Sequence, residues 1–528
     1  MHQKNENGTF TSKIGFVLAA VGSAVGMGNI WMFPYRTGQY GGAAFLIPYL
    51  LFIALFGYVG LSGEFAFGRM TGTGPIGSYE FAMKSRGKKG GAILGTIPLL
   101  GSLGIAIGYA IIVGWVLRSA FGALTGSLMS TEPEQFFTEM SSTNFSSVPW
   151  HTLVILLTAA VLIFGVSGGI EKINKVMMPA FFILFIIIAV RVAFLPNAIE
   201  GYKYLLVPQW EYLFNPRTWI MAMGQAFFSL SITGSGMIIY GSYLPKNEDV
   251  VHSSCMTAVL DTCAAMLAGL AILPSVFAFG LDPASGPKLL FITLPRVFQQ
   301  MPFGRLFAFF FFISVLFAGI TSLANMLEAV SEAAQTRLKL SRKAAVLLAC
   351  GAALAVGLFI ERDTLMGTLM DVITIYVVPI GAILGAVMAY WVLGIDKMEQ
   401  ELMPQQAAQP RICAACEICV YLPCRTRCIL QLYYPGRYWV NPCCKKGLPA
   451  GSPFFMQEWR MENERKDCIF RTICKHVPAG ASIGRPESRY AIALHSSFSI
   501  LHFQFSIFTI LHRGRIYSPP AVPEAVRF

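Results

Sequence analysis

Through the first 400 positions apolar residues come in blocks of about twenty, too long and too unbroken for a water-facing helix or strand. The blocks fall at 14–36, 43–70, 92–122, 150–167, 173–195, 219–243, 252–280, 303–335, 342–360 and 365–394. They predict ten spans and an all-α polytopic membrane protein. Two blocks are irregular: GSAVGMGNIWMFPYR (22–36) places three glycines, an asparagine and a proline inside span 1, and FFSLSITGSGMII (227–239) packs small polar residues into span 6. Backbone groups freed at that depth need partners, so such breaks belong where the chain lines a cavity or holds a ligand. A small-residue contact between helices accounts for either break alone. Matched positions five spans apart argue for more, and an odd number of spans per half gives the halves opposite orientation. The expectation is an inverted five-plus-five repeat, with halves at about 14–195 and 219–394 and broken helices 1 and 6.

Composition removes the alternatives. With 55% hydrophobic residues, 13% charged residues and a mean hydropathy of +0.58, the chain is no soluble protein. The net charge of +12 suggests nucleic acid until its location is considered. Lys84, Arg86, Lys88 and Lys89 follow span 2, and Arg337, Lys339, Arg342 and Lys343 follow span 8, whereas the connection after span 3 carries Glu132, Glu134 and Glu139. The positive-inside rule then places the N-terminus in the cytoplasm of a multi-pass plasma (inner) membrane protein, with the bilayer and not nucleic acid as partner. Span 2 follows almost at once and no small-residue cleavage site is seen, so the first apolar block reads as a span and not a removable signal. No nucleophile–histidine pair or metal-ligand set occurs in the first 400 residues, and an enzyme is not expected. The sequence carries no signal for an oligomeric state.

After Gly394 the character changes. The organisation reads as a membrane domain over 1–402 and a tail over 403–528, in which nine of the twelve cysteines (Cys413 to Cys474) and sixteen Lys or Arg accumulate. Three readings compete for the tail. CAACEIC (413–419) with Cys424 and Cys428 resembles half of a zinc cluster, disulfides conflict with a reducing cytoplasm, and the aperiodic mixture of Cys, Arg, Pro and His fits an out-of-frame translation best.

Several strings together resemble one family. GSAVGMGNIWMFPY, QYGGAAFLIPY (39–49), GEFAFGR (63–69), GQAFFSLS (224–231), AGITS (318–322) and LKLSRK (338–343) occur in the order found in neurotransmitter:sodium symporters, nearest to the bacterial leucine-transporter-like branch. The resemblance covers residues 7–402 and implies the leucine-transporter-like fold and sodium-coupled import of an amino acid by alternating access. Its runner-up is a non-transporting amino-acid-binding sensor or degenerate homologue disabled by its C-terminal tail.

The resemblance also implies a site. Backbone N–H groups near Gly26 and Gly28, with the Tyr109 hydroxyl from GYAIIVGW (108–115), would hold the substrate carboxylate. The carbonyls of Ala24 and Phe228 and the Ser231 hydroxyl would hold the ammonium. Met27, Ile105, Phe228, Ser231, Gly234, Ser322 and Met326 would line the side-chain pocket. Gly234 stands where the leucine-selective prototype has an aromatic residue, which points to a large apolar or aromatic substrate. One sodium set would join Ala24, Asn29, Ser229 and Asp261 with the substrate carboxylate; a second would join Gly22, Val25, Ala318, Thr321 and Ser322. Asp261 is an intramembrane acid, costly and therefore functional. It would supply the charge that chloride supplies in dependent relatives, so chloride is not required. Glu64 would bond freed backbone of span 1. The gates depart from the family: Met32 stands at the usual arginine, leaving Arg36 one turn further on, or an intervening water, to meet Asp371 in span 10. On the cytoplasmic side Asn7 and Thr336 replace a charged pair, leaving closure to packing by Phe10.

Overall fold

The computed structural model describes residues 9–142, 145–283 and 289–402, and no strand occurs among them. The tail over 403–528, with its three readings, lies outside the described residues, as does Asn7. All ten expected spans are helical. Seven are long and apolar enough to cross a bilayer unbroken: Ala43–Thr71, Gly91–Thr125, Val166–Ala193, Val250–Ala278, Gly304–Leu338, Arg342–Phe359 and Val378–Leu402, which are spans 2, 3, 5, 7, 8, 9 and the main part of 10. Span 4 is the shorter helix Val148–Ile163. Spans 1 and 6 are the interrupted ones. Lys13–Ala24 and Gly28–Gln39 meet at a 54° bend. Pro216–Ser229 and Gly236–Ser242 are separate helices joined by irregular backbone.

Local chemistry explains the starts and the breaks. Ser12 caps span 1 by accepting the Gly15 N–H at 3.1 Å, and Asp249 caps span 7 by accepting that of His252 at 2.9 Å. Asn215 caps span 6 at the Arg217 N–H, with Pro216 preset as the first helical residue. Span 1 ends because Val25 turns extended (φ −70°, ψ 113°) just before Gly26. Span 6 ends because Ser231 and Gly234 take left-handed conformations, φ 52° and 74°. A serine in that region is a strained choice that the surroundings must hold in place.

The architecture is an inverted five-plus-five helix repeat of the leucine-transporter-like fold. Spans 3 and 8, each a 35-residue helix, lie against one another at the centre. Span 1 packs on spans 5, 7 and 8, while both halves of span 6 pack on span 2. The two breaks are thereby enclosed by protein and not lipid, as backbone without helical hydrogen bonds requires. Residues Ile183, Ile186, Ile187 and Val190 on the outer face of span 5 are exposed, as a lipid-facing surface should be.

Candidate ion and substrate site

Three side chains from three spans converge on one fully buried cluster. Asn29, just past the break in span 1, donates through Nδ2 to Asp261 Oδ1 at 2.8 Å, to the Asp261 carbonyl at 3.1 Å and to Ser229 Oγ at 3.1 Å. Ser229, the last helical residue before the break in span 6, donates to Asp261 Oδ2 at 2.6 Å. The Asn29 side-chain oxygen turns back to accept the Gly26 N–H at 3.2 Å, which caps one backbone group that the break leaves free. The structure thus brings Asn29, Ser229 and Asp261 together, while Ala24 is the last helical residue of the first half of span 1. Two neighbours were not singled out from sequence. The Tyr49 hydroxyl lies 3.5 Å from Ser229 Oγ, and Gln225 donates through Nε2 to the Gly28 carbonyl at 2.7 Å. The intramembrane position of each polar side chain was the available signal.

A second cluster lies on the other side of the break. Ser322 donates across to the carbonyls of Gly22 at 3.2 Å and Val25 at 3.0 Å. Thr321 bonds back to its own turn, at the Phe317 and Ala318 carbonyls, 3.0 Å each. Back-bonding of this kind is common for Thr in membrane helices. Ser322 does something else, fastening span 8 to the end of the span 1 helix. Gly22, Val25, Ala318, Thr321 and Ser322 therefore share one place, rich in oxygens that are mostly backbone carbonyls and hydroxyls.

Between the clusters lies the break itself. The Met27 N–H donates to the Tyr109 hydroxyl at 3.0 Å. A side chain on Gly26 would collide with both the Tyr109 and Ser322 hydroxyls, which accounts for glycine at that position. Gly28 is held by Phe228, whose ring would meet a methyl there at 2.8 Å. Ser231 donates to the Ser23 carbonyl at 3.1 Å, so the two breaks touch directly. Ile105 and Met27 are buried, each 3% exposed, and Phe228, Ser231 and Met326 are half-buried.

Three sequence readings need revision. Glu64 bonds the backbone of span 6 and not that of span 1: its Oε1 accepts the Gly234 N–H at 2.8 Å. The reason is packing, since the second half of span 2 lies along the second half of span 6. Gly234 does not open volume in the pocket. A methyl on it would run into the Gly381 carbonyl of span 10 and lie 2.8 Å from the Tyr79 hydroxyl, so the missing side chain serves close helix packing. Arg36 does not reach Asp371. Its Nη1 faces the Met221 carbonyl at 3.5 Å and Gln225 Oε1 at 3.4 Å, because the first half of span 6 lies in its path, and Asp371 stays exposed.

On the N-terminal face Phe10 packs among aromatic rings near a charge pair that sequence reading passed over. Phe10 is 2% exposed, stacks edge-on to Phe16 and Tyr240, and donates its N–H to the Tyr243 carbonyl at 3.3 Å. Thr336 merely bonds back to Glu332. Glu328 accepts two 2.6 Å hydrogen bonds from Arg342 and one of 2.7 Å from the Tyr243 hydroxyl, joining spans 6, 8 and 9. Two carboxylates inside span 8, Glu328 and Glu332, were the signal in the sequence.

The broken helices meeting back to back around oxygen-rich clusters define the class: a helical membrane transporter of inverted-repeat design. The chain belongs to the sodium:neurotransmitter symporter family, whose model matches residues 7–149 and 135–432. It is 40% identical over 324 residues to the uncharacterized sodium-dependent transporter YhdH of Bacillus subtilis, covering 61% of this chain and 71% of that protein. It is 33% identical over 423 residues to the uncharacterized sodium-dependent transporter MJ1319 of Methanocaldococcus jannaschii, covering 75% and 84%. The crystal structure of MhsT in complex with L-phenylalanine matches with a TM-score of 0.69 and 32% identity over 75% of this chain and 92% of that one. The protein is accordingly a multi-pass, sodium-dependent transporter of a small molecule and not an enzyme.

Proposed function

We propose that the chain imports an amino acid, large and apolar or aromatic, in symport with two sodium ions across the plasma (inner) membrane, its N-terminus in the cytoplasm. The observation that carries this reading is a continuous line of polar contacts. It runs from Asp261 and Ser229 through Asn29 to Gly26, Met27 and Tyr109, and at Gly26, crowded by both the Tyr109 and Ser322 hydroxyls, it meets the Ser322 that bonds the carbonyls of Gly22 and Val25. The substrate carboxylate belongs in the middle, at the Tyr109 hydroxyl and the N–H groups near Gly26 and Gly28. The ammonium belongs at the Ala24 and Phe228 carbonyls and the Ser231 hydroxyl. One sodium sits among Ala24, Asn29, Ser229 and Asp261, where the substrate carboxylate completes its shell. That shared oxygen couples ion to substrate. The other sits among Gly22, Val25, Ala318, Thr321 and Ser322 and fastens span 1 to span 8.

Sodium, a hard cation, takes several oxygen ligands of this kind. Its entry turns the Ser322 proton away from the Gly22 and Val25 carbonyls so that a lone pair faces the ion. Asp261 places a fixed negative charge beside the first ion, so no chloride is required. The Met27, Ile105, Phe228 and Met326 side chains suit a large apolar substrate, and the similarity to MhsT, crystallised with L-phenylalanine, supports that choice. Two ions crossing 100 mV release about 4.6 kcal/mol, at roughly 2.3 kcal/mol per charge. A tenfold sodium gradient adds about 1.4 kcal/mol per ion. Together they sustain about a 10⁵-fold substrate gradient when coupling is tight.

The test is uptake of radiolabelled L-phenylalanine, L-tryptophan and L-leucine into proteoliposomes under an inward sodium gradient. Sodium-dependent accumulation of at least one supports symport. Saturable binding with no accumulation favours the sensor reading, and neither binding nor uptake overturns the amino-acid assignment.

A further inference from the structure

Asn174, in span 5, is fully buried and only half satisfied. Its Nδ2 donates to the Ile170 carbonyl at 2.8 Å. Since a carbonyl accepts and never donates, this bond fixes which end of the amide is nitrogen. The oxygen therefore faces the opposite way, and Oδ1 has no hydrogen-bond partner. It points at span 1, where a methyl on Gly22 would overlap it and would lie 3.1 Å from Thr321 Cβ. Glycine at position 22 is what admits the amide oxygen at all.

The surroundings make this orphan informative. Gly22 and Val25 present carbonyls at the C-terminal end of a helix, which carries partial negative charge. Thr321, Ala318 and Ser322 add further oxygens. An acceptor with no donor, aimed into a cluster of acceptors, is unfavourable in a dry interior unless a cation joins them. Every oxygen expected around the second sodium is neutral, so one more ligand of the same kind strengthens the site without adding charge.

We propose that Asn174 supplies an additional oxygen to the second sodium, approaching from span 5 between Gly22 and Thr321. This rests on the assignment of the second ion to Gly22, Val25, Ala318, Thr321 and Ser322. It makes that ion a three-way fastening of spans 1, 5 and 8. When the ion leaves, span 5 loses this one link to span 1, while the Thr11 and Ser12 bonds to Glu171 and the Ser322 bonds to the Gly22 and Val25 carbonyls remain.

The experiment is the sodium dependence of thermal unfolding of the full chain in detergent, titrating NaCl against choline chloride at constant ionic strength. Asn174→Leu keeps the volume and removes both polar atoms; Asn174→Asp keeps an oxygen toward Gly22 and removes the donor to Ile170. The expected result is at least a fivefold rise in half-saturating sodium for Asn174→Leu, with the melting temperature in choline near that of the parent. Asn174→Asp is expected to bind sodium more tightly than the parent. If Asn174 is only a packing residue held by Ile170, both variants shift alike or neither shifts, and the proposal falls. Ser322→Ala serves as the control: a shift there with none in Asn174→Leu overturns the role of Asn174 alone, and no shift in either overturns the second sodium site with it. Should Asn174→Leu fail to fold, Asn174→Asp decides the matter by itself: sodium binding tighter than the parent's, from the added charge beside the ion, supports the proposal, and binding equal to the parent's or weaker overturns it.

Discussion

Glu64 Oε1 accepts the Gly234 N–H at 2.8 Å, so a carboxylate of span 2 holds open the unwound stretch of span 6. Without it, the Gly234 N–H in a water-poor interior loses its acceptor. Each buried donor left unpaired costs about 1–3 kcal/mol. Glu64→Ala is expected to lower the melting temperature sharply and abolish transport, while Glu64→Gln, which keeps one accepting oxygen, retains part of both. An unchanged melting temperature in Glu64→Ala would show that the freed group has another partner.

Asp261 receives hydrogen bonds from both Asn29 and Ser229 and lies beside Tyr49. If its charge is what balances the first sodium, Asp261→Asn removes that charge while keeping the shape. Uptake by the parent protein is expected to be the same in chloride and in gluconate. Uptake by Asp261→Asn is expected to drop at least tenfold in gluconate and to recover in part with chloride. A chloride requirement in the parent would refute the assignment.

Much of this was legible in the sequence, and the reasons are physical. Span number and the two breaks follow from hydropathy and from glycine, serine and proline placed where apolar helix should continue, because a bilayer tolerates neither polar surface nor free backbone. Asn29, Ser229 and Asp261 could be grouped in advance only because the motifs that carry them resemble those of neurotransmitter:sodium symporters, which implies one shared ion site. The partners of Glu64, Arg36 and Gly234 were not legible. A side chain's nearest neighbour across spans depends on helix rotation and on the direction of the Cα–Cβ bond, which periodicity does not report. Asn174 was hidden for the same reason, since an amide in an apolar span gives no hint of which atom lacks a partner.

Gly234 offers a direct check on one of these revisions. The volume argument expects an aromatic residue there to narrow the pocket and favour smaller substrates. The close approach of Gly381 and Tyr79 expects damage to the fold instead, and the left-handed backbone adds strain for any side chain. Overpacking of this kind costs about 1–3 kcal/mol and sometimes more. Gly234→Ala should therefore lower thermal stability measurably, and Gly234→Phe should yield little folded protein. A stable Gly234→Phe variant with a shifted substrate preference would restore the volume argument.

Glu328 and Arg342 make the last case, because the two charges are fixed by geometry and not by exposure to water. The pair is bidentate, and Glu328 is fully buried. Removing one partner strands the other charge, at about 3–5 kcal/mol, whereas removing both together costs far less. Glu328→Gln and Arg342→Met are each expected to destabilise strongly, with the double variant recovering most of the loss. Recovery of stability need not restore closure, since Tyr243 and the span 8–9 junction would no longer be fastened. In the double variant a cysteine placed at Phe10 should therefore react faster with a membrane-impermeant thiol reagent applied from the N-terminal face than the same cysteine in the otherwise unchanged protein. Equal labelling rates would mean that Phe10 and its aromatic neighbours close that face without help from the ion pair.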